Sequence, residues 1–326
     1  METSTAPLYF LLNAASGSHH AEETCAAIEQ AMAGSKRSFR LITLEPQGDT
    51  GVRIKAAVEE ACAAGAIVVA AGGDGTISGV AQELLNTGCP LGVLPEGTFN
   101  YFARGLCMVE ETRTAVQQLL RSTPTPIQVG TVNNHIFLVN ASLGLHPQIL
   151  ADREAFKAKL GRHRLVAMLA GLYTLAQRPH HLTLRLTGDT GEVSTRTPSL
   201  FVGNNPLQLD QLGLEVSPAA QNMPTLRDGL MAVVLKHASN LQLYRLALKG
   251  ALGSLGEDEQ LSLSTFKRLI VQPRPRWRYR SVEVALDGEI KRMRTPLHFE
   301  AVPDALTVML PPPPEQSDPI ETPDTP

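Results

Sequence analysis

The chain has no uninterrupted apolar stretch of the roughly eighteen residues that a membrane-spanning helix needs, and its N-terminus shows no basic segment leading into an apolar core. A signal-directed or membrane-embedded protein is therefore not expected. Cysteine is scarce and scattered: Cys25, Cys62, Cys89 and Cys107 make no C-x-x-C pair and no metal-binding spacing. They read as four buried or half-buried thiols in a reducing cytoplasm. The nine histidines show no H-E-x-x-H or other ligand spacing, and the chain carries no G-x-S-x-G, G-x-G-x-x-G or G-x-x-x-x-G-K-[ST] motif. The usual markers of hydrolases, dinucleotide-binding folds and P-loop proteins are thus missing. Strong charge is missing too. The net value is −3, and the acids of the tail after Pro311 account for it, leaving a near-neutral body with no footprint of a nucleic-acid binder.

Two strand-to-helix turns stand out. Ala66 to Ala71 is a short apolar run that suits a strand covered on both faces, and it stops at Gly72-Gly73-Asp74-Gly75-Thr76. From Ile77 the apolar residues recur at Val80, Ala81, Leu84 and Leu85, one face of a helix that Gly88 closes. Glycines in such a turn either permit positive φ or bare the backbone N–H groups and the positive helix end to a phosphate. A second apolar run, Pro90 to Leu94, ends in Pro95-Glu96-Gly97-Thr98-Phe99-Asn100-Tyr101-Phe102-Ala103-Arg104. Consecutive parallel strands deliver both loops to one sheet edge, where open α/β sheets bind ligands.

Gly72-Gly-Asp-Gly-Thr76 followed by Leu94-Pro-Glu-Gly-Thr-Phe-Asn-Tyr-Phe-Ala-Arg104 resembles the diacylglycerol kinase catalytic-domain family, bacterial lipid kinases related to sphingosine kinases. NAD kinases and phosphofructokinase-like folds share the first motif, and the second narrows the match. The resemblance implies a parallel α/β nucleotide-binding domain, a mainly antiparallel β domain and an active site in the cleft between them. It implies ATP as co-substrate, Mg2+, and a lipid acceptor. Carried over residue by residue, the nucleotide site is Asn13, Thr43, Gly72, Gly73, Asp74, Gly75, Thr76, Ile77, Ser78, Gly97 and Thr98. In Val284-Ala-Leu-Asp-Gly-Glu289, Asp287 becomes the proton acceptor and Glu289 its assistant, although Asp-Gly alone reads as a hairpin turn. Asp228 with the carbonyls of Thr225 and Leu230 becomes a structural Mg2+ site, Asp74 acts through metal-bound water, and Arg104 is either a phosphate partner or a solvated helix residue. The chain departs from the family at Ala14 for proline, Ser78 for asparagine and Tyr101 for aspartate. The last change removes a charge from the expected metal network.

The order of elements divides the chain into residues 1–124, completed by 298–310, a β-rich segment 125–297, and a disordered tail 311–326. Pro124 and Pro126 mark the boundary as residues unfit for a central strand. The strands expected beyond it are Ile127 to Val132, His135 to Ser142, Leu182 to Leu186, Val193 to Val202, Leu230 to Leu235 and Leu261 to Val271, with Asn133-Asn134 as a turn. Asp152 to Gln177 reads as a helix with one basic and one apolar half, packed on the sheet or lying on an anionic membrane. Arg274 to Arg280 reads as an alternating strand, Trp277 and Tyr279 opposite Arg276, Arg278 and Arg280. The expected activity is ATP- and Mg2+-dependent phosphorylation of a lipid hydroxyl by a cytoplasmic protein that touches anionic membrane. The alternatives are an NAD kinase or a catalytically degenerate nucleotide- or lipid-binding regulator.

Overall fold

The computed structural model describes residues 5–13, 18–45, 49–144, 147, 181–189, 191–204, 229–235 and 261–312. Thr225, Asp228, the basic helical pattern 152–177 and the tail beyond 312 lie outside the described residues.

The chain opens with β1 (Leu8–Asn13), α1 (Ser18–Met32), β2 (Phe39–Leu44), α2 (Thr50–Ala63), β3 (Ile67–Gly72), α3 (Asp74–Leu84), β4 (Leu91–Pro95), α4 (Tyr101–Gly105) and α5 (Thr112–Arg121). The four strands are parallel in the order β2-β1-β3-β4. Strand β3 explains the unbroken apolar run. Val68 and Ala70 pack with Ile54, Ile77 and Val80 of α2 and α3, whereas Ile67, Val69 and Ala71 pack with Ile28, Met32, Val116 and Leu119 of α1 and α5. A strand with helices on both faces has no solvated side to make polar. Asp49 starts α2 by accepting the Gly51 and Val52 amides at 2.9 and 3.3 Å.

The remaining strands are β5 (Thr123–Val132), β6 (His135–Phe137), β7 (Asn140–Gly144), β8 (Leu182–Gly188), β9 (Gly191–Thr197), β10 (Ser199–Gly203), β11 (Leu230–Leu235), β12 (Leu261–Phe266), β13 (Arg268–Arg274), β14 (Ser281–Leu286), β15 (Glu289–Arg294) and β16 (Leu297–Leu310). Strand β16 pairs parallel with β4 and antiparallel with β13, so the first sheet runs on through β16, β13, β8 and β9, with β5 and β6 beside β16. A second, antiparallel sheet has the order β12-β11-β10-β7-β14-β15.

Three expected strands each prove to be two. The runs 135–142, 193–202 and 261–271 break at Leu138-Val139, Pro198 and Lys267, and at each break the chain leaves one sheet for the other. At the first and third breaks the apolar pattern continues because Phe137 and Leu143, and Phe266 and Val271, all face one core between the two sheets, whereas at Pro198 only the β10 side, Leu200 and Val202, joins that core and Val193 is exposed. Periodicity reports the core, not the sheet that supplies the hydrogen bonds.

Three further expectations are corrected. Pro124 and Pro126 lie inside β5, which pairs with β16 along its length but meets β6 only over residues 130–132. Their missing N–H groups fall on the unpaired edge, where proline is tolerated. Cys62 and Cys89 are joined, leaving Cys25 half-buried and Cys107 exposed as the free thiols. The ends of α2 and the approach to β4 bring those two α-carbons to 5.7 Å, a proximity that a 27-residue separation hides. Residues 275–280 form a turn, since Pro275 offers no N–H to extend β13. Asn133-Asn134 does form the two-residue turn, with φ of 45° and 70°. Among the described residues no helix is long and apolar enough to cross a membrane.

Phe137 is fully buried where β6 leaves the first sheet, meeting Phe299 edge-on at 6.4 Å between ring centroids. Phe137→Ala should destabilise the protein by about 3–5 kcal/mol through the cavity it leaves. The urea unfolding midpoint measures this, and a loss under about 1 kcal/mol would show that the crossing point collapses to fill the space.

Candidate active site

The two glycine turns meet backbone to backbone. Gly73 is the N-cap of α3, and a Cβ placed on Gly97 would lie 2.5 Å from the Gly73 α-carbon. The Gly97 loop is fixed by Asn100, buried at φ 51°, whose Oδ1 accepts the Gly97 amide at 2.9 Å while its Nδ2 donates to the Gly97 carbonyl at 3.0 Å. Asp74 accepts the Tyr101 and Phe102 amides at 3.2 and 3.0 Å, so it caps α4. Glu96 ties β4 to α1 and α5 by accepting the hydroxyls of Thr24 at 3.3 Å and Thr112 at 2.7 Å. Much of the shared motif is therefore explained by the packing of two loops.

Beside these loops lies a cleft of about 450 Å³, bounded by the first turns of α2 and α3 on one side and the β14–β15 hairpin on the other. Asn13 at the end of β1 and Gly75, Thr76 and Ser78 of α3 line it on the first side, and Asp287, Glu289 and Lys291 on the second. Asn13 donates to the Thr76 hydroxyl at 2.8 Å. Glu289 comes so near the start of α3 that a Cβ on Gly75 would sit 2.8 Å from its Oε1. The bare glycine lets a carboxylate approach the positive end of the helix.

Asp287 and Gly288, at φ 46° and 91°, form the two-residue turn between Leu286 and Glu289. The side chain turns back into the protein. Oδ1 accepts the Val139 and Asn140 amides, both at 2.9 Å, while Oδ2 accepts the Leu138 amide at 2.8 Å and the Ser78 hydroxyl at 2.5 Å. Burial pushes the Asp287 carboxyl above the usual carboxylate range, and these four donors oppose it. The three amides belong to the crossing from β6 to β7, and a buried polar chain braces that crossing. Gln128 Nε2 donates to Asn204 Oδ1 at 2.9 Å and to the Gly229 carbonyl at 3.1 Å, and Asn204 Nδ2 donates to the Leu138 carbonyl at 3.0 Å.

The other expected site residues sit apart from the cleft wall. Thr43 is exposed at the end of β2 opposite Leu12, Gly72 and Ile77 are buried beneath the turn, and Thr98 is exposed on the outer loop. Leu230 is buried in β11 against Phe266, and Arg104 is exposed on α4. Lys291 and the bracing pair Gln128 and Asn204 escaped sequence reasoning. Lys291 was within reach of it, because it stands two residues beyond Glu289 on the same face of a strand. Its charge, after burial, helps hold the His135 imidazole below its ordinary pKa. Among the described residues no three His, Cys, Asp or Glu side chains converge into a metal cage. Glu83 and Glu289 nevertheless give the cleft hard oxygen donors, which suit a Mg2+ whose other ligands are phosphate oxygens and water.

Residues 7–132 match the diacylglycerol kinase catalytic domain. A protein of Pseudomonas aeruginosa named "Probable lipid kinase YegS-like" is 32% identical over 260 residues, 78% of this chain and 80% of that protein. The diacylglycerol kinase of Bacillus subtilis is 29% identical over 231 residues, 68% of this chain and 71% of its own. Shorter matches, at 38% and 37% identity over 33% and 38% of this chain, span only 26% of an uncharacterized Synechocystis protein and 41% of a Chromohalobacter salexigens relative named as YegS-like. A crystal structure of a diacylglycerol kinase from Bacillus anthracis superposes with a TM-score of 0.69 at 20% identity, covering 94% of this chain and 98% of that one. That likeness establishes the shared fold.

Two glycine replacements separate packing from the site. Gly97→Ala drives a methyl into backbone that cannot yield and should cost about 1–3 kcal/mol. Gly75→Ala meets only the flexible end of Glu289 and should leave stability unchanged or raise it by up to about 1 kcal/mol, since alanine favours the helix. Chemical denaturation of both variants checks the contrast, which equal losses would contradict.

Proposed function

Because the chain belongs to the diacylglycerol kinase catalytic-domain family, we propose that it is an ATP- and Mg2+-dependent kinase that transfers the γ-phosphate to the hydroxyl of a diacylglycerol-like or sphingoid lipid. The observation that carries this reading is the meeting, in one cleft, of the glycine-bared start of α3 and the two carboxylates of the β14–β15 hairpin. On this reading residues 1–124 with 298–310 serve the nucleotide and residues 125–297 the lipid.

The acceptor hydroxyl oxygen bonds to the γ-phosphorus while the bond from that phosphorus to the bridging oxygen breaks, releasing ADP. The hydroxyl proton passes to Asp287. A carboxylate offers about four acceptor sites, and on Asp287 four donors fill them. Three of those donors are fixed backbone amides. The Ser78 hydroxyl can rotate away, so the substrate hydroxyl takes its place on Oδ2. Burial brings the affinity of Asp287 for a proton closer to working pH, which suits a general base. Lys291 offers a positive charge to the phosphates, and the open amides of α3 offer hydrogen bonds. Glu289 and Glu83 would hold a Mg2+ in the cleft, and the ion would supply neutralisation of phosphate charge when bound.

Labelled ATP offered with diacylglycerol, sphingosine, ceramide, monoacylglycerol and NAD tests the activity. Transfer to a lipid is the expected result, transfer to NAD alone would establish the NAD kinase alternative, and nucleotide binding without transfer would establish a regulator. Asp287→Asn should lower kcat by about 10²–10⁴-fold. The base works only when ionised, so kcat/KM should fall as pH drops through the raised Asp287 pKa, with an acid limb above the ordinary carboxylate range. The Ser78 hydrogen bond lowers that pKa, so Ser78→Ala should move the limb to still higher pH. A limb unmoved in Ser78→Ala would remove Asp287 from the base role.

A further inference from the structure

The turn between β13 and β14 presents an uncommon surface for a water-soluble face. Trp277 is 77% exposed, the most exposed of the large apolar side chains described, and it sits among Arg274, Arg276, Arg278 and Arg280 with no acid between residues 274 and 280. Pro275, Arg276, Trp277 and Arg278 are all exposed, beside an open recess of about 570 Å³ that Thr183 and Arg274 also line. The cationic face extends sideways. Arg274 stands opposite Thr183, and Thr183 stands opposite the exposed Arg196 on β9, while Arg294 stands opposite Ser281 at the start of β14.

The turn is also built to hold its shape. The Arg278 and Tyr279 amides donate to the Pro275 carbonyl at 3.1 and 3.3 Å. The Thr295 hydroxyl donates to the Tyr279 carbonyl at 2.6 Å, and the Thr295 amide donates to the Arg280 carbonyl at 3.1 Å. Tyr279 packs against the core between the sheets and carries the Arg278 guanidinium over its ring at 5.7 Å, so the neighbouring aromatic is used for support while Trp277 is held out.

An exposed indole rimmed by arginines matches the interface of an anionic bilayer, where tryptophan settles at headgroup level and each basic side chain is drawn by surface charge. A protein partner would need a larger apolar surface than one indole provides. We propose that this turn docks the protein on anionic phospholipid membrane, with Trp277 inserted at headgroup depth and the arginines on lipid phosphates. Strand β14 leads from the turn to Asp287, so the docking contact and the carboxylate occupy opposite ends of one six-residue strand, about 20 Å long. The proposal takes from the lipid-kinase reading only the reason for docking.

Trp277 is the chain's one tryptophan, so its fluorescence reports the contact directly. With full-length protein and vesicles containing phosphatidylglycerol, emission should move to shorter wavelength, bromine-labelled acyl chains should quench it, and the protein should float with the vesicles. Pure phosphatidylcholine vesicles should produce none of these. The double replacement Arg276→Glu with Arg278→Glu should weaken partitioning by at least about tenfold, and Trp277→Ala should weaken it with an unchanged melting temperature. Flotation with unaltered tryptophan emission would assign docking to another surface and overturn the proposal, as would no flotation or equal flotation with neutral vesicles. None of these measurements uses nucleotide or turnover, so their failure would leave the kinase reading standing, and a lack of transfer would leave the docking result standing.

Discussion

The bond between one carboxylate and three successive amides governs this architecture. Leu138 and Val139 lie between β6 and β7, where the chain passes from the first sheet to the second, and Asn140 opens β7 opposite Gly203; the N–H groups of all three turn to Asp287. A buried amide left without an acceptor costs about 1–3 kcal/mol, and a buried carboxylate without donors costs more. Asp287 meets both needs at once. The Gln128 and Asn204 amides extend the same arrangement one step back, fixing the Leu138 carbonyl while the carboxylate fixes its N–H. A network with every member occupied confers rigidity that a partly filled one cannot.

The glycine turns carry a related lesson. Their lack of side chains is used twice, once to let the Gly73 and Gly97 loops touch, and once at Gly75 to let Glu289 approach the head of α3. Neighbouring glycines of a single motif thus serve two kinds of close approach, loop to loop and carboxylate to helix, and Asp74, placed between them, serves as a helix cap.

The parallel half of the fold was legible because its inner strands β3 and β4 are covered by helices, which writes unbroken apolar runs ending in glycine turns, as at Ala66–Gly72. The β-rich half was legible as strands but not as sheets, since residues on both sides of the breaks at Leu138 and Lys267 bury against the same core. Of the site, Asp287, Glu289, Ser78, Thr76 and Asn13 were reached through family resemblance, and the structure gathers them around one cleft. Gln128 left no trace in the sequence, because an isolated buried amide has no period and no spacing. Pro275 pointed to a turn, yet the alternation of arginine and aromatic residues around it suggested a strand.

The carboxylate is stiff on one side and loose on the other. Three of its contacts come from the backbone of the β6–β7 crossing, whereas the fourth comes from Ser78 on α3, across the cleft. Without the Ser78 donor the group's appetite for protons would rise, because that bond is one of those opposing the effect of burial. The acid–base strength of a carboxylate carried by one layer thus depends in part on a hydroxyl that belongs to the other.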